Sequence, residues 1–173
     1  MWGSNALATS RLTLRRRHES DAALLRTLWT ERDPRVPAHR RIDAKGRPTR
    51  TDLAARIRAE RESDGPGLLT IVRKREADAI GYCGLVPSDV GGTDEPELAF
   101  ELLSAVHGQG YATEAGEAVI ARATARGYAR LWATVWDWNV ASRRVLEKLG
   151  FRELDRRGPV GPHGTTVVTV RDL

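Results

Sequence analysis

The chain has 173 residues, 40% hydrophobic and 29% charged, with 28 Lys and Arg against 23 Asp and Glu for a formal net charge of +5. That length predicts a single domain over 1–173, with a flexible tail at 1–9, and the apolar content suffices for one core. No segment reads as a membrane span, residues 1–10 lack the basic start and long apolar run of a signal peptide, and Cys83 is the only cysteine, so an internal disulfide is excluded and a cytoplasmic setting is expected.

The basic surplus favours polyanionic partners. Almost all of it is arginine, as in a GC-rich bacterial genome. The pairs Arg40-Arg41, Arg143-Arg144 and Arg156-Arg157 and the run Arg15-Arg16-Arg17 are scattered, without a recognition motif and with few interleaved aromatics, so they read as solvated surface rather than a nucleic-acid interface.

In chain order the pattern predicts a strand over 11–15, then a helix from about Ser20, with Ser20 and Asp21 as caps and Ala22, Leu25, Leu28 and Trp29 on one face. Residues 33–37 break the chain and 43–50 read as a loop. A second helix is expected over 51–62, followed by strands over 68–72 and 79–86, a hairpin loop over 88–95 with Gly91-Gly92, and a strand over 97–103. A helix starting near Ala112 carries Ala112, Ala115, Val119 and Ala123 on one stripe, with Glu114 and Glu117 in its first turns, where carboxylates suit the positive helix end. Gly127 closes it. A strand over 130–135 leads to a helix over 140–149, ended by Gly150 in a left-handed cap with Phe151 folding back on Leu146. Two last strands, 152–157 and 165–170, are joined by a glycine-rich loop.

The segment His107-Gly108-Gln109-Gly110-Tyr111-Ala112-Thr113, between the strand at 97–103 and its helix, is the main chemical signal. Its glycines let backbone approach a bulky anion, and the helix start leaves unpaired amides pointing at it. It is no phosphate loop, because Gly110 is not followed by Lys and Ser or Thr. It is no dinucleotide fingerprint either, because Thr113 stands where a third glycine or alanine is needed and no acid ends the strand at 130–135.

Together with Asn139-x-x-Ser142-Arg143-x-Val145-Leu146-Glu147-Lys148-Leu149-Gly150-Phe151, this segment resembles the GNAT superfamily of N-acetyltransferases, and its ribosomal-protein N-terminal (Rim-type) branch in particular. The resemblance implies an α/β fold: a mixed, mostly antiparallel sheet of six or seven strands, splayed between two central parallel strands and flanked by about four helices. It also implies that acetyl-coenzyme A is the acyl donor, with no metal, and that the acceptor is a primary amine, either a protein or peptide N-terminus or a small molecule. A monomer or homodimer is compatible with it.

The resemblance assigns coenzyme contacts to Leu102 and Leu103 on the splayed strand, to His107, Gly108, Gln109, Gly110, Tyr111, Ala112 and Thr113 in the loop, and to Asn139, Ser142 and Arg144. His107 departs from the Arg or Gln that usually leads the loop. Asn139 can also cap the following helix. Glu97 and Glu101 are the candidate bases; they alternate with Ala99, so both point the same way, either to the cleft or to solvent. Relatives often use a tyrosine as the acid for the thiolate; Leu146 stands in that position, and Ser142 is the substitute. Trp136, Asp137 and Trp138 sit beside the expected acetyl position, where the rings can wall the cleft and Asp137 can attract a cationic amine. His18, His39 and His163 show no metal-ligand spacing. Two readings of other classes stay open: a non-catalytic acyl-coenzyme A sensor, and a basic ribosome- or RNA-associated binding module.

Overall fold

The computed structural model describes residues 6–62, 65–158 and 160–173, apart from the side chains of Thr93, Arg156 and Arg157. Residues 1–5 of the expected tail and the side chains of the 156–157 pair therefore lie outside the described part. Leu7–Ala8 correct the end of that tail: they form strand β1, in register with Leu14 and Thr13.

Strand β2 (Leu12–Arg16) alternates, burying Leu12 and Leu14 on one face and turning Thr13 and Arg15 to the other. It pairs antiparallel with β3 (Leu68–Arg73), which pairs with β4 (Ala79–Ser88), and that with β5 (Gly92–Leu102). The hairpin between β4 and β5 is tighter than expected. Ser88 already pairs with Gly92, and its Oγ accepts from the amides of Val90 and Gly91. Strand β6 (Arg130–Trp136) lies parallel to β5, and β8 (Thr166–Asp172) and β7 (Arg152–Arg157) complete the order β1-β2-β3-β4-β5-β6-β8-β7. The sheet thus has eight strands rather than six or seven, the two-residue β1 being too short for a periodicity to reveal.

Helices α3 (Tyr111–Ala125) and α4 (Val140–Lys148) cover the face that carries Leu69, Ile71, Cys83, Leu98, Leu102, Leu131 and Val135. Gly150 at φ 78° and the Phe151 amide on the Leu146 carbonyl, 3.0 Å, form the expected left-handed stop, and Phe151 and Leu146 share the core. Helices α1 (Ala22–Glu31) and α2 (Arg50–Glu62) cover the other face, packing Leu25, Leu28, Leu53 and Ile57 against Tyr82 and Leu103.

The approach to α1 differs from the expected cap. A 3-10 turn, Glu19–Asp21, precedes it, and the His18 ring rather than Ser20 accepts from the turn. Asp21 is buried beneath, accepting from Arg15, from Thr70 Oγ1 at 2.7 Å and from the His18 amide. Burial raises its pKa, but these donors outweigh that and hold it below the usual carboxylate range.

Gly81 of β4 sets how closely β5 lies. A Cβ on Gly81 would sit 2.3 Å from the Glu101 carbonyl oxygen and 2.8 Å from Leu102 Cα, both backbone atoms of the neighbouring strand. Gly81→Ala is therefore expected to push β5 away and to cost about 1–3 kcal/mol, the usual range for overpacking. Urea unfolding, with a lower midpoint at unchanged slope, checks this.

Candidate active site

Strand β5 changes neighbours along its length. Leu103 N–H donates to the Ile80 carbonyl at 2.9 Å, and the β4–β5 register pairs 102 with 81, 101 with 82 and 97 with 86. By the alternation of an antiparallel ladder, residues 97, 99, 101 and 103 bond to β4, while 98, 100 and 102 turn their amides and carbonyls to the β6 side. Pairing with β6 is recorded only at Glu97 opposite Trp132. Beyond it the edges of Phe100 and Leu102 face the gap. Leu103, expected to contact the coenzyme, has its amide bonded to Ile80 instead.

Both flanking helices begin at the open end of this gap. Gly108 and Gly110, at φ 74° and 81°, turn the chain from β5 into α3, and the first amide of this stretch to find a helical carbonyl is that of Glu114, bonded to Gly110 at 3.0 Å. Among the described residues, the amides of Gly108, Gln109, Gly110, Tyr111, Ala112 and Thr113 have no hydrogen-bond partner. A Cβ on Gly108 would meet nothing within 4 Å, so the loop borders open space there. The row of amides suits a pyrophosphate.

His107 takes a different part from the one expected. Its Nε2 lies 2.8 Å from the Leu102 carbonyl and its amide donates to Ser104, so the side chain braces the end of β5. The cation beside the loop is Arg11, which the sequence reading missed. Its guanidinium donates to the Gln109 carbonyl at 3.0 Å, lies 4.4 Å over the Tyr111 ring and bonds Glu114 at 2.6 Å. Thr9 Oγ1 also donates to Glu114, at 2.6 Å, which ties the β1–β2 turn to the start of α3.

At the start of α4, Asn139 Oδ1 accepts from the Ser142 amide at 3.2 Å, the capping role, which leaves its amide nitrogen free among the described residues. The hydroxyl of Ser142 and the guanidinium of Arg144 have no partner among the described residues. Leu146 is buried in the core.

The candidate bases share the face covered by α1 and α2, and their surroundings divide them. Arg32 grips Glu101 with two hydrogen bonds, 2.8 and 2.6 Å, and Tyr82 donates a third at 2.8 Å. Burial raises the Glu101 pKa, but Arg32 and Tyr82 outweigh it and hold the carboxyl below its ordinary value. With both oxygens hydrogen-bonded, Glu101 is held as a strut between α1 and the sheet. Glu97 is the opposite case: Oε1 is buried with no hydrogen-bond partner, and burial pushes its pKa up, with hydrogen bonding by Thr134 opposing and the charge of Asp89 reinforcing the shift.

The far wall is aromatic. Trp136 and Trp138 stack with centroids 6.4 Å apart and planes 5° from parallel, Arg35 lies 4.1 Å over Trp138, and Trp138 Nε1 donates to the His163 carbonyl. Asp137, expected beside the acceptor amine, uses its Oδ1 to accept from the amides of Trp138 and Thr165, and its charge acts on Arg35 and Arg143. Among the described residues no group of three or more His, Cys, Asp or Glu side chains is placed to hold a metal ion, and no helix is long and apolar enough to cross a membrane.

Residues 11–152 match the acetyltransferase (GNAT) domain family. The chain belongs to that family. It is 30% identical over 145 residues to the uncharacterized protein YkkB of Bacillus subtilis (strain 168), covering 83% of each chain. Among solved structures it resembles the ribosomal-protein-S5-alanine acetyltransferase of Vibrio fischeri (TM-score 0.74, 16% identity, 98% of this chain and 97% of that one). It also resembles yncA of Salmonella typhimurium, a putative acetyltransferase solved with its cofactor acetyl-CoA (TM-score 0.72, 18% identity, 95% of each). The α/β fold with two central parallel strands is thus that of the GNAT acetyltransferases.

The loop can be tested without disturbing the fold, because Asn and Asp both tolerate the left-handed backbone of Gly108 and meet open space there. In calorimetric titration with coenzyme A, Gly108→Asp is expected to bind at least roughly tenfold more weakly than Gly108→Asn, since only the former sets a negative charge against the phosphates. Equal affinities would remove the loop from the binding site.

Proposed function

We propose that this acetyltransferase moves the acetyl group of acetyl-coenzyme A onto a primary amine by direct attack, with Glu97 as the base and a peptide or protein α-amine as the preferred acceptor. The observation that carries the reading is Glu97 itself, a buried carboxyl with an unpartnered oxygen at the point where the parallel strands part. The free amides of the loop and the open strand edge fit the coenzyme's pyrophosphate and its amide-bearing arm. Acetyl-coenzyme A supplies an activated thioester, whose C–S bond breaks as the amine nitrogen bonds to the carbonyl carbon.

The chain's own groups supply the rest. Phe100 and Leu102, with their backbone turned to the gap, hold the arm and orient the carbonyl, while the Trp136–Trp138 wall excludes water. Glu97 takes the ammonium proton, directly or through one water, and Ser142 is the nearest counterpart to the missing tyrosine as donor to the departing sulfur. A carboxyl whose pKa is raised by burial is better matched to this task near neutrality than an ordinary glutamate.

Glu97→Gln is expected to lower kcat about 10²- to 10⁴-fold with coenzyme affinity unchanged, and to remove the acid limb of the rate profile. The same variant should stabilise the fold. The folded pKa of Glu97 lies above its unfolded value, so the ionised group opposes folding at pH above the folded pKa, and the opposition fades as pH falls below the unfolded value of about 4.3. A higher midpoint at pH 8, converging with wild type at pH 4, checks the sign. Glu101→Gln should instead lower stability, because it weakens the Arg32 contact. If Glu101→Gln shows the larger loss of turnover at intact stability, the base is Glu101.

The acceptor preference rests on the cost of a neutral nucleophile. At pH 7 an α-amine with pKa about 8 costs roughly 1.4 kcal/mol to deprotonate, and a lysine with pKa about 10.4 roughly 4.6 kcal/mol. A single carboxyl base suits the former. The S5-alanine acetyltransferase among the structural relatives points the same way. Peptides with a free N-terminal Ala or Ser should be acetylated faster than N-blocked peptides with an internal lysine, as read by mass spectrometry; preferential lysine modification rejects the α-amine class.

A further inference from the structure

Residues 32–50, from the end of α1 to the first residue of α2, carry seven cationic side chains against Asp33 and Asp43, a surplus of five that equals the formal net charge of the whole chain. They also roof the acceptor side of the cleft. Arg32 bonds Glu101 on β5 and the Arg40 carbonyl, Arg35 covers Trp138, and the Arg35 carbonyl lies 2.9 Å from His163 Nδ1 at the β7–β8 hairpin. The roof therefore spans both splayed strands.

Most acids near this roof are already matched. Glu101 is held by Arg32, Asp33 by Arg35 and Asp43 by Arg47, while Asp137 is spent on backbone amides. Glu97, with the pKa raised, is the exception. By contrast, the side chains of Arg40, Arg41, Lys45 and Arg50 have no hydrogen bond, ion pair or ring contact among the described residues. Arg40 is the one next to the cleft, where its carbonyl is bonded by Arg32 at 2.7 Å and its charge reaches Glu101, and Arg41 follows it in the chain. Arg41 Nε is buried with no acceptor. A buried cationic donor left unpaired is costly unless a ligand supplies the acceptor.

We infer that Arg40 and Arg41 form an anion-reading subsite for the acceptor, and that the enzyme's substrates are peptide N-termini with carboxylate side chains in the residues just after the acetylated amine. This rests on the α-amine reading above. The reactive α-ammonium faces Glu97, and the following residues leave the cleft beneath a cationic roof, where acidic side chains are attracted and basic ones repelled.

Three peptides with the same free N-terminal Ala and no lysine, followed by acidic, neutral or arginine-rich residues, test this by initial rates. The acidic peptide is expected to exceed the arginine-rich one at least roughly tenfold in kcat/KM, mostly through KM, and the difference should shrink at high salt. Arg40→Gln/Arg41→Gln should bring the three peptides together while coenzyme A affinity stays as in wild type. Arg40→Gln alone, at an exposed position, should halve the preference on a logarithmic scale, and serves if the double variant does not fold. Equal kcat/KM for all three in wild type, or a preference unchanged in either variant, overturns the subsite and leaves the α-amine reading standing. If none of the three reacts while an N-blocked lysine peptide does, the α-amine reading falls and the subsite with it.

Discussion

The junction of β5 and β6 is the constraint on which the rest depends. Two parallel strands in an otherwise antiparallel sheet meet at Glu97 opposite Trp132 and then separate, leaving backbone donors and acceptors of Phe100 and Leu102 without a strand to satisfy them. Unpaired edge groups are a liability unless a ligand or a covering element meets them. Here the chain also starts α3 and α4 at the same end, so that unbonded amides at the start of α3 and a strand edge without a partner strand open on one space. An extended molecule with amides in its arm and phosphates at its end satisfies both sets, and the GNAT family membership names that molecule's class.

Two carboxyl groups four residues apart on one strand face end in opposite states, and the cause is what surrounds each. Glu101 faces the end of α1, where Arg32 and Tyr82 fix both of its oxygens. Glu97 faces the junction, where Thr134 and Asp89 are its neighbours and no cation reaches it. Burial acts on both; the guanidinium decides the difference. Breaking a buried ion pair is far costlier than the pair is stabilising, so the Arg32–Glu101 contact works mainly as a position lock, holding the 32–50 roof against the sheet.

Much of this was legible in the sequence because it rests on local patterns. Glycines at 108, 110, 127 and 150 mark left-handed turns, and all four are found at positive φ. The stripes of α1 to α4 and the alternation of β2 follow from periodicity. What sequence could not yield are the long-range pairs. Nothing near Arg32 signals Glu101, 69 residues away, and nothing near Arg11 signals Glu114, 103 residues away. The same holds for Asp137, whose position beside two tryptophans suggested an exposed anion until the Thr165 amide proved to occupy it. His107 likewise sits where a phosphate ligand is expected in sequence, yet a ring only five residues past Leu102 can close back on that carbonyl.

The local costs of this fold fall on two residues. Among the described residues only two buried side-chain atoms lack a partner, Glu97 Oε1 and Arg41 Nε. One is an acid beneath the cleft and the other a cation in its roof, next to a residue bonded by Arg32. Elsewhere the buried polar groups are paired, as Asp21 is with Arg15 and Thr70. Strain and unsatisfied polarity persist where the surrounding packing over-determines them, and they concentrate where a ligand completes the set. An unpaired buried acid and an unpaired cation on opposite sides of one cleft are what a substrate carrying both an ammonium and a carboxylate would satisfy together.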